Sequence, residues 1–158
     1  MSYRILMLTF LFLGVNVPAQ GAKINVSAKA VTKGANMSVK LILEANGEKL
    51  STNVALDSSP AALEFASLLP LSLNFSDYVG KEKISPALSK RLTKQGKSGY
   101  IPQIGDLFYF SPWGNLGIFY EAQPPHSGLV FLGKLEDSAF LETLKAQRGD
   151  FILHIQGQ

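Results

Sequence analysis

Between Gly105 and Lys134, three short apolar segments alternate with residues that break regular structure, and this spacing predicts a β meander. Leu107 to Phe110 and Leu116 to Tyr120 flank the connector Ser-Pro-Trp-Gly-Asn, in which Pro112, Gly114 and Asn115 each favour a turn for a separate backbone reason. Leu129 to Leu132 follows the Pro124-Pro125 break and stops at Gly133. The stretch also holds the single tryptophan, Trp113, and the densest aromatic run. It is the expected centre of a β-rich core.

The flanking chain supplies the rest of such a core. Met37, Val39, Leu41 and Leu43 recur with period two, which reads as a half-buried strand. Asn46-Gly47 follows, a pair suited to a type I′ hairpin turn because both positions tolerate positive φ. The return strand runs from about Glu48 to Leu56, with Leu50, Thr52, Val54 and Leu56 on one face. Ser59 then caps a helix with Pro60 at its first position, where the missing N–H costs nothing. That helix extends over Ala61 to Leu69 and packs through Leu63, Ala66 and Leu69 or through Phe65 and Leu68, until Pro70 stops it. Leu71, Leu73 and Phe75 alternate as another strand. Asp77 to Tyr100 reads mostly as connector, with a short helical turn from Ser85-Pro86 to Leu92 and a loop tip around Gly96 to Gly99. Asp137 or Ser138 caps a second helix through Phe140, Leu141, Leu144 and Lys145, ended by Gly149, and Phe151 to Ile155 is a last strand.

The N-terminus reads differently. Arg4, the apolar run Ile5 to Val15 and the small residues of Val17 to Ala22 have the layout of a secretory signal peptide, too short in its apolar part to span a bilayer, which takes roughly 20 residues. The expected organisation is a signal peptide over 1–21, a flexible lead-in over 22–36 with a strand-like piece at Ile24 to Val26, and one domain over 37–158. Export to the periplasm or the medium follows, with no membrane attachment after cleavage. The chain has no cysteine, so disulfides, thiolate metal sites and a lipoprotein anchor are excluded. Without residues 1–21 it keeps 14 basic residues against 12 acidic, since only Arg4 is lost. That balance does not suit nucleic acid. Lys81, Lys83, Lys90, Arg91, Lys94 and Lys97 cluster, which reads as a solvated basic loop.

Seven or eight short strands with two helices, in no regular alternation, point to a mainly β fold: a closed or nearly closed antiparallel barrel with its helices at the open ends. Here the chain resembles a bacterial cyclophilin-like family. The resemblance rests on Asp57, Ser59, Pro60 and Phe65; on Leu68 to Leu73; on Asp77, Tyr78, Gly80, Glu82, Lys83 and Ile84; on Gly99, Tyr100, Pro102, Gly105 and Asp106; and on Pro112 to Tyr120. It implies an eight-stranded antiparallel barrel with a helix at each end. Cyclophilins that isomerise prolyl bonds carry an arginine in an F-H-R-x-I-P-G-F segment, which this chain lacks. Arg91, in Ser-Lys-Arg-Leu, has neither the flanking aromatics nor the Pro-Gly.

Few residues suggest chemistry. His126 and His154 are 28 positions apart, with no H-x-H or H-x-x-x-H spacing, so neither a metal nor another cofactor is expected. His126 beside Ser127 is not a triad, because adjacent side chains diverge. Asp106 reads as a turn-stabilising carboxylate. The aromatic cluster is the remaining candidate. If Phe108, Phe110 and one of Phe119 and Tyr120 fill the barrel, then Tyr109 and Trp113 lie near the surface. A groove formed by Tyr109, Trp113, Asn115 and Tyr120, with Arg91 nearby, suits a peptide or small ligand. Two functions remain open: a non-enzymatic binding or accessory module, and a prolyl isomerase with displaced catalytic groups.

Overall fold

The structure is a computed structural model that describes residues 37–45 and 47–158. The expected signal peptide, lead-in and Ile24–Val26 piece lie outside the described residues, as does the first turn position, Asn46. Strands β1 (Ser38–Ala45) and β2 (Glu48–Leu56) form a hairpin in the register Ala45↔Glu48, with Gly47 at φ 79°. Helix α1 (Pro60–Ala66) follows, then β3 (Leu71–Tyr78), β4 (Glu82–Ala87) and the two-residue β5 (Lys97–Ser98). The meander is β6 (Asp106–Phe110), β7 (Asn115–Phe119) and β8 (Leu129–Leu135). Helix α2 (Ser138–Ala146) and β9 (Phe151–Gly157) complete the domain.

The strands run in the order β2-β1-β9-β3-β4-β7-β6-β8, all antiparallel, and β8 pairs back with β2, so eight of them form a closed barrel. Gly133 makes that seam possible: a Cβ there would lie 2.5 Å from the Ala55 carbonyl of β2. β5 pairs with the remaining part of β8, through Lys97↔Phe131 and Ser98↔Val130. Inside, Val39, Leu41, Leu43, Val54, Phe75, Leu107, Tyr109, Leu116, Ile118, Leu132, Leu153 and Ile155 form one buried cluster, joined by Ala61, Ala62 and Phe65 of α1 and Phe140 and Leu144 of α2. An eight-stranded barrel is just wide enough for side chains to fill it.

Both helix starts follow the expected caps. Ser59 Oγ accepts from the Ala62 amide, and Asp137 Oδ1 accepts from the Phe140 amide at 3.0 Å. α1 is shorter than its apolar run and ends at Ala66. Of the two expected faces, the one through Phe65 and Leu68 packs on the barrel, together with the small Ala61 and Ala62, while Leu63 is 53% exposed.

The segment read as connector contains a barrel strand. β4 escapes a periodicity reading because its inward positions are Lys83 and Ser85, both buried and both polar. No helical turn starts at Ser85-Pro86. Ser85 Oγ instead accepts from the Leu116 amide at 3.0 Å, and Pro86 falls where the β4–β7 register shifts, so its absent N–H breaks no ladder bond. Lys83 does not belong to a solvated loop either. Its ammonium is buried, donating to Asp77 Oδ1 at 2.7 Å and to the Gln147 carbonyl, 5.2 Å from the centre of the Tyr120 ring.

Candidate ligand-binding cleft

Side chains alternate across a strand, so the residues between the inward positions of β4, β7, β6 and β8 share the outer face of the barrel. These are Glu82 and Ile84; Asn115, Gly117 and Phe119; Phe108 and Phe110; and Leu129 and Phe131. Gly117 is the hollow in this face. The Phe108 ring lies directly over it, in the space that any Cβ would occupy, and stacks on Phe119 with ring centres 4.2 Å apart and planes 18° apart. Phe108, Phe119 and Leu129 thereby make a second small apolar cluster outside the barrel, supported by Ile84, Tyr100 and Phe110.

Two connections wall this face. The turn Ser111–Gly114 closes with the Gly114 amide donating to the Phe110 carbonyl at 2.8 Å, and Gly114 at φ 74°. It raises Trp113, 48% exposed, edge-on to both Phe110 (5.3 Å) and Tyr78 (5.4 Å). Opposite, Gln123, Pro124, Pro125 and His126 of the β7–β8 connection form the other wall, with the His126 ring 5.1 Å from Phe110. Gly128 lets the two connections approach, since a Cβ there would lie 2.6 Å from Pro112. Between them lies a cavity of about 250 Å³, floored by Phe108, Phe119, Ile84 and Asn115 and edged by Glu82, Tyr78 and Leu129.

The polar groups of this cleft are few. Asn115 is buried; its Nδ2 donates to the Ser85 carbonyl at 3.2 Å, which leaves Oδ1 as a buried acceptor with no partner. Burial pushes the Glu82 carboxyl up to about 7, and among the described residues nothing pairs with it. His126 Nδ1 accepts from the Gly128 amide at 3.0 Å, so neutral His126 carries its proton on Nε2 as a donor. No lysine or arginine among the described residues lines the cleft.

The structure brings Trp113 and Asn115 together in this cleft and places the other groove candidates elsewhere. Tyr109 was expected near the surface; it is buried in the barrel, because Leu107 and Tyr109 are the inward pair of β6 and Phe108 and Phe110 the outward pair. Tyr120 follows β7 and donates its hydroxyl to Asp77 Oδ1, away from the cavity. Arg91 packs on Gly114 and donates Nη1 to the Ser111 carbonyl at 2.9 Å, behind the turn. Asp106 does stabilise a turn, its Oδ2 accepting from the Gln103 amide at 2.8 Å and its Oδ1 from Lys134. His154 lies in β9, 3.2 Å from Glu44. Tyr78, Glu82, Ile84, Gln123 and Leu129 had no local signal as site residues. Outward parity on β4 would have found Glu82 and Ile84 had that strand been legible.

The described residues contain no group of three or more histidine and acidic side chains placed to hold a metal ion. The solution structure of the hypothetical protein AF2241 from Archaeoglobus fulgidus superposes with a TM-score of 0.59 at 16% identity, over 81% of this chain and 99% of that one, which speaks to the fold alone. No curated protein matches the chain. A model of the cyclophilin-like family matches residues 43–156, nearly the whole barrel with both helices. The chain belongs to the cyclophilin-like family.

Proposed function

We propose that this cyclophilin-like domain is a binding module, and that the cleft beside Trp113 holds a short extended peptide segment or a small ligand. The observation that carries this reading is the exposed, preformed aromatic wall: Trp113, Tyr78 and Phe110 stand edge to face around a cavity of about 250 Å³ instead of collapsing into the barrel. Concave apolar sites with a few fixed polar groups are the usual form of small-ligand sites. The run from Arg4 to Ala22 supports export, so the ligand is met outside the cytoplasm.

The isomerase alternative needs a cation or strong donor set against the prolyl amide. The nearest candidate, Arg91, is held on the Ser111 carbonyl behind the turn. An amide ¹H–¹⁵N spectrum titrated with aromatic fragments and short Xaa-Pro peptides tests the binding reading. Shifts are expected to concentrate in 78–84, 108–119 and 123–129. Shifts scattered over other faces, or none from any fragment, overturn it. In the same samples, exchange of the Xaa-Pro bond is expected to keep its uncatalysed timescale of tens of seconds.

A further inference from the structure

We infer that the ligand of this cleft is an organic cation, a primary ammonium or guanidinium group on an apolar stem, held between the aromatic wall and Glu82. The inference rests on the cleft being a binding site and adds the charge of what binds there. Three observations converge on it. Glu82 sets a carboxylate at the edge of an otherwise apolar cavity, without a counter-charge or hydrogen-bond donor among the described residues. A half-buried carboxylate left so is costly, and a bound cation is what would relieve it. Second, Asn115 on the cavity floor commits Nδ2 to the Ser85 carbonyl and keeps a buried acceptor, Oδ1, without a partner. Third, the walls are aromatic. Trp113, Tyr78, Phe110 and Phe119 present π-systems, and such rings attract ammonium and guanidinium groups placed over their faces. With lysine and arginine absent from the lining, an incoming cation meets no repulsion, while an anion would meet Glu82 unshielded. The other titratable groups near Glu82 are Tyr78, Tyr100 and His126.

Three probes built on one ring separate charge from shape: benzylammonium, benzyl alcohol and benzoate, titrated into the full chain. Trp113, the single tryptophan, reports through its fluorescence, and amide shifts give the location. Benzylammonium is expected to bind at least ten-fold more tightly than benzyl alcohol at pH 8, with benzoate weakest. Its affinity should rise from pH 6 to pH 8 as Glu82 ionises. Glu82→Gln should remove both the preference for benzylammonium over benzyl alcohol and the pH dependence. Blocked Ala-Lys-Ala and Ala-norleucine-Ala peptides distinguish the source of the cation: a preference for the lysine peptide greater than that for benzylammonium assigns a peptide side chain, and the reverse assigns a free amine. Equal binding of the alcohol and the ammonium, or a pH dependence that survives Glu82→Gln, overturns the cation inference and leaves a binding cleft. Binding of none of the probes overturns both readings.

Discussion

Replacing Asp77 with alanine should be among the most damaging single changes in this domain, and the structure says why. Lys83 is buried on an inward position of β4, with its ammonium held by Asp77 Oδ1 at 2.7 Å and the Gln147 carbonyl, over the Tyr120 ring. Asp77→Ala removes the counter-charge, leaves the Tyr120 hydroxyl without its acceptor and takes from the Gly80 amide its partner in the β3–β4 turn. Removing one member of a buried pair leaves an uncompensated charge and costs about 3–5 kcal/mol. Asp77 retains some exposure, so the lower end, about 3 kcal/mol, is the expected loss. For a domain of this size that lowers Tm by roughly 10 °C. Lys83→Met removes the charge itself and should cost about 1 kcal/mol or less, because the Met stem still fills the space. The double variant should therefore lie close to the Lys83→Met single, with a coupling of about 3 kcal/mol. Urea denaturation of the four proteins measures the cycle. If Asp77→Ala and Lys83→Met prove additive, the pair is not coupled and the reading of β4 as a strand anchored by a buried ion pair is wrong. The pH profile adds a second check. Hydrogen bonds from Lys83 and Tyr120 hold the Asp77 carboxyl below its usual range, so its contribution is complete above the unfolded value near 4 and disappears as the pH falls through the folded value. Acid sensitivity below pH 4 should weaken in Lys83→Met.

Glu82 acts in the opposite sense and in another window. Its folded value near 7 exceeds the model-peptide value, so its effect on stability is most favourable below about 4.5 and declines as the pH rises to 7. Glu82→Gln should raise Tm at pH 8 relative to pH 5, measured by thermal melts, and an unchanged difference between the two pH values would refute the buried position of this carboxyl. Val79 is β-branched, 71% exposed and held at φ 47° in the turn before Gly80. Val79→Asn should stabilise by about 1 kcal/mol in urea melts, since the left-handed conformation costs an ordinary L-residue roughly 1–2 kcal/mol. Gly117→Ala puts a methyl into the Phe108 ring and should destabilise by about 1–3 kcal/mol while moving the amide shifts of Phe119 and Leu129. Trp113→Ala should leave stability within about 1 kcal/mol and abolish fragment binding.

How far the sequence could be read depended on which side of each strand carried the information. Where inward positions are apolar and outward ones polar, as in β1 with Val39, Leu41 and Leu43 inside, period two is visible and the strand is placed correctly. Where the inward residues are Lys83 and Ser85, the same backbone looks like a loop, since a charge is buried only by virtue of a partner six residues back and a carbonyl 64 residues ahead. In β6 and β7 both faces are buried, so Leu107-Phe-Tyr-Phe has no polar phase, and alternation alone cannot say which aromatic enters the barrel. Tyr109 was assigned to the wrong side for this reason. The helix caps were legible because they are local. The cleft was not: it depends on two connections meeting across Gly128 and on the empty face of Gly117, which are facts about spacing between strands.

The same double-sided burial locates function on this fold. The barrel interior is occupied by Val, Leu, Ile, Phe and Tyr109 side chains, which directs recognition to an outer face or an end. Most outward positions face water and are polar, whereas β6 and β7 spend theirs on Phe108, Phe110 and Phe119, which gain burial only because the connections 111–114 and 121–128 fold over them. That cover is incomplete. A domain needing stability alone would have closed it with another apolar side chain; here the gap is edged by Glu82 and floored by Asn115, whose buried Oδ1 has no partner, two features that lower stability. Filling the gap from within offers a direct test: Asn115→Leu removes the unsatisfied acceptor and adds apolar volume beside Ile84. It is expected to preserve or raise the urea midpoint while eliminating fragment-induced shifts at Trp113. If Asn115→Leu lowered the midpoint by more than about 2 kcal/mol equivalent, Asn115 would be a structural bridge to β4 through Ser85, not part of an open site.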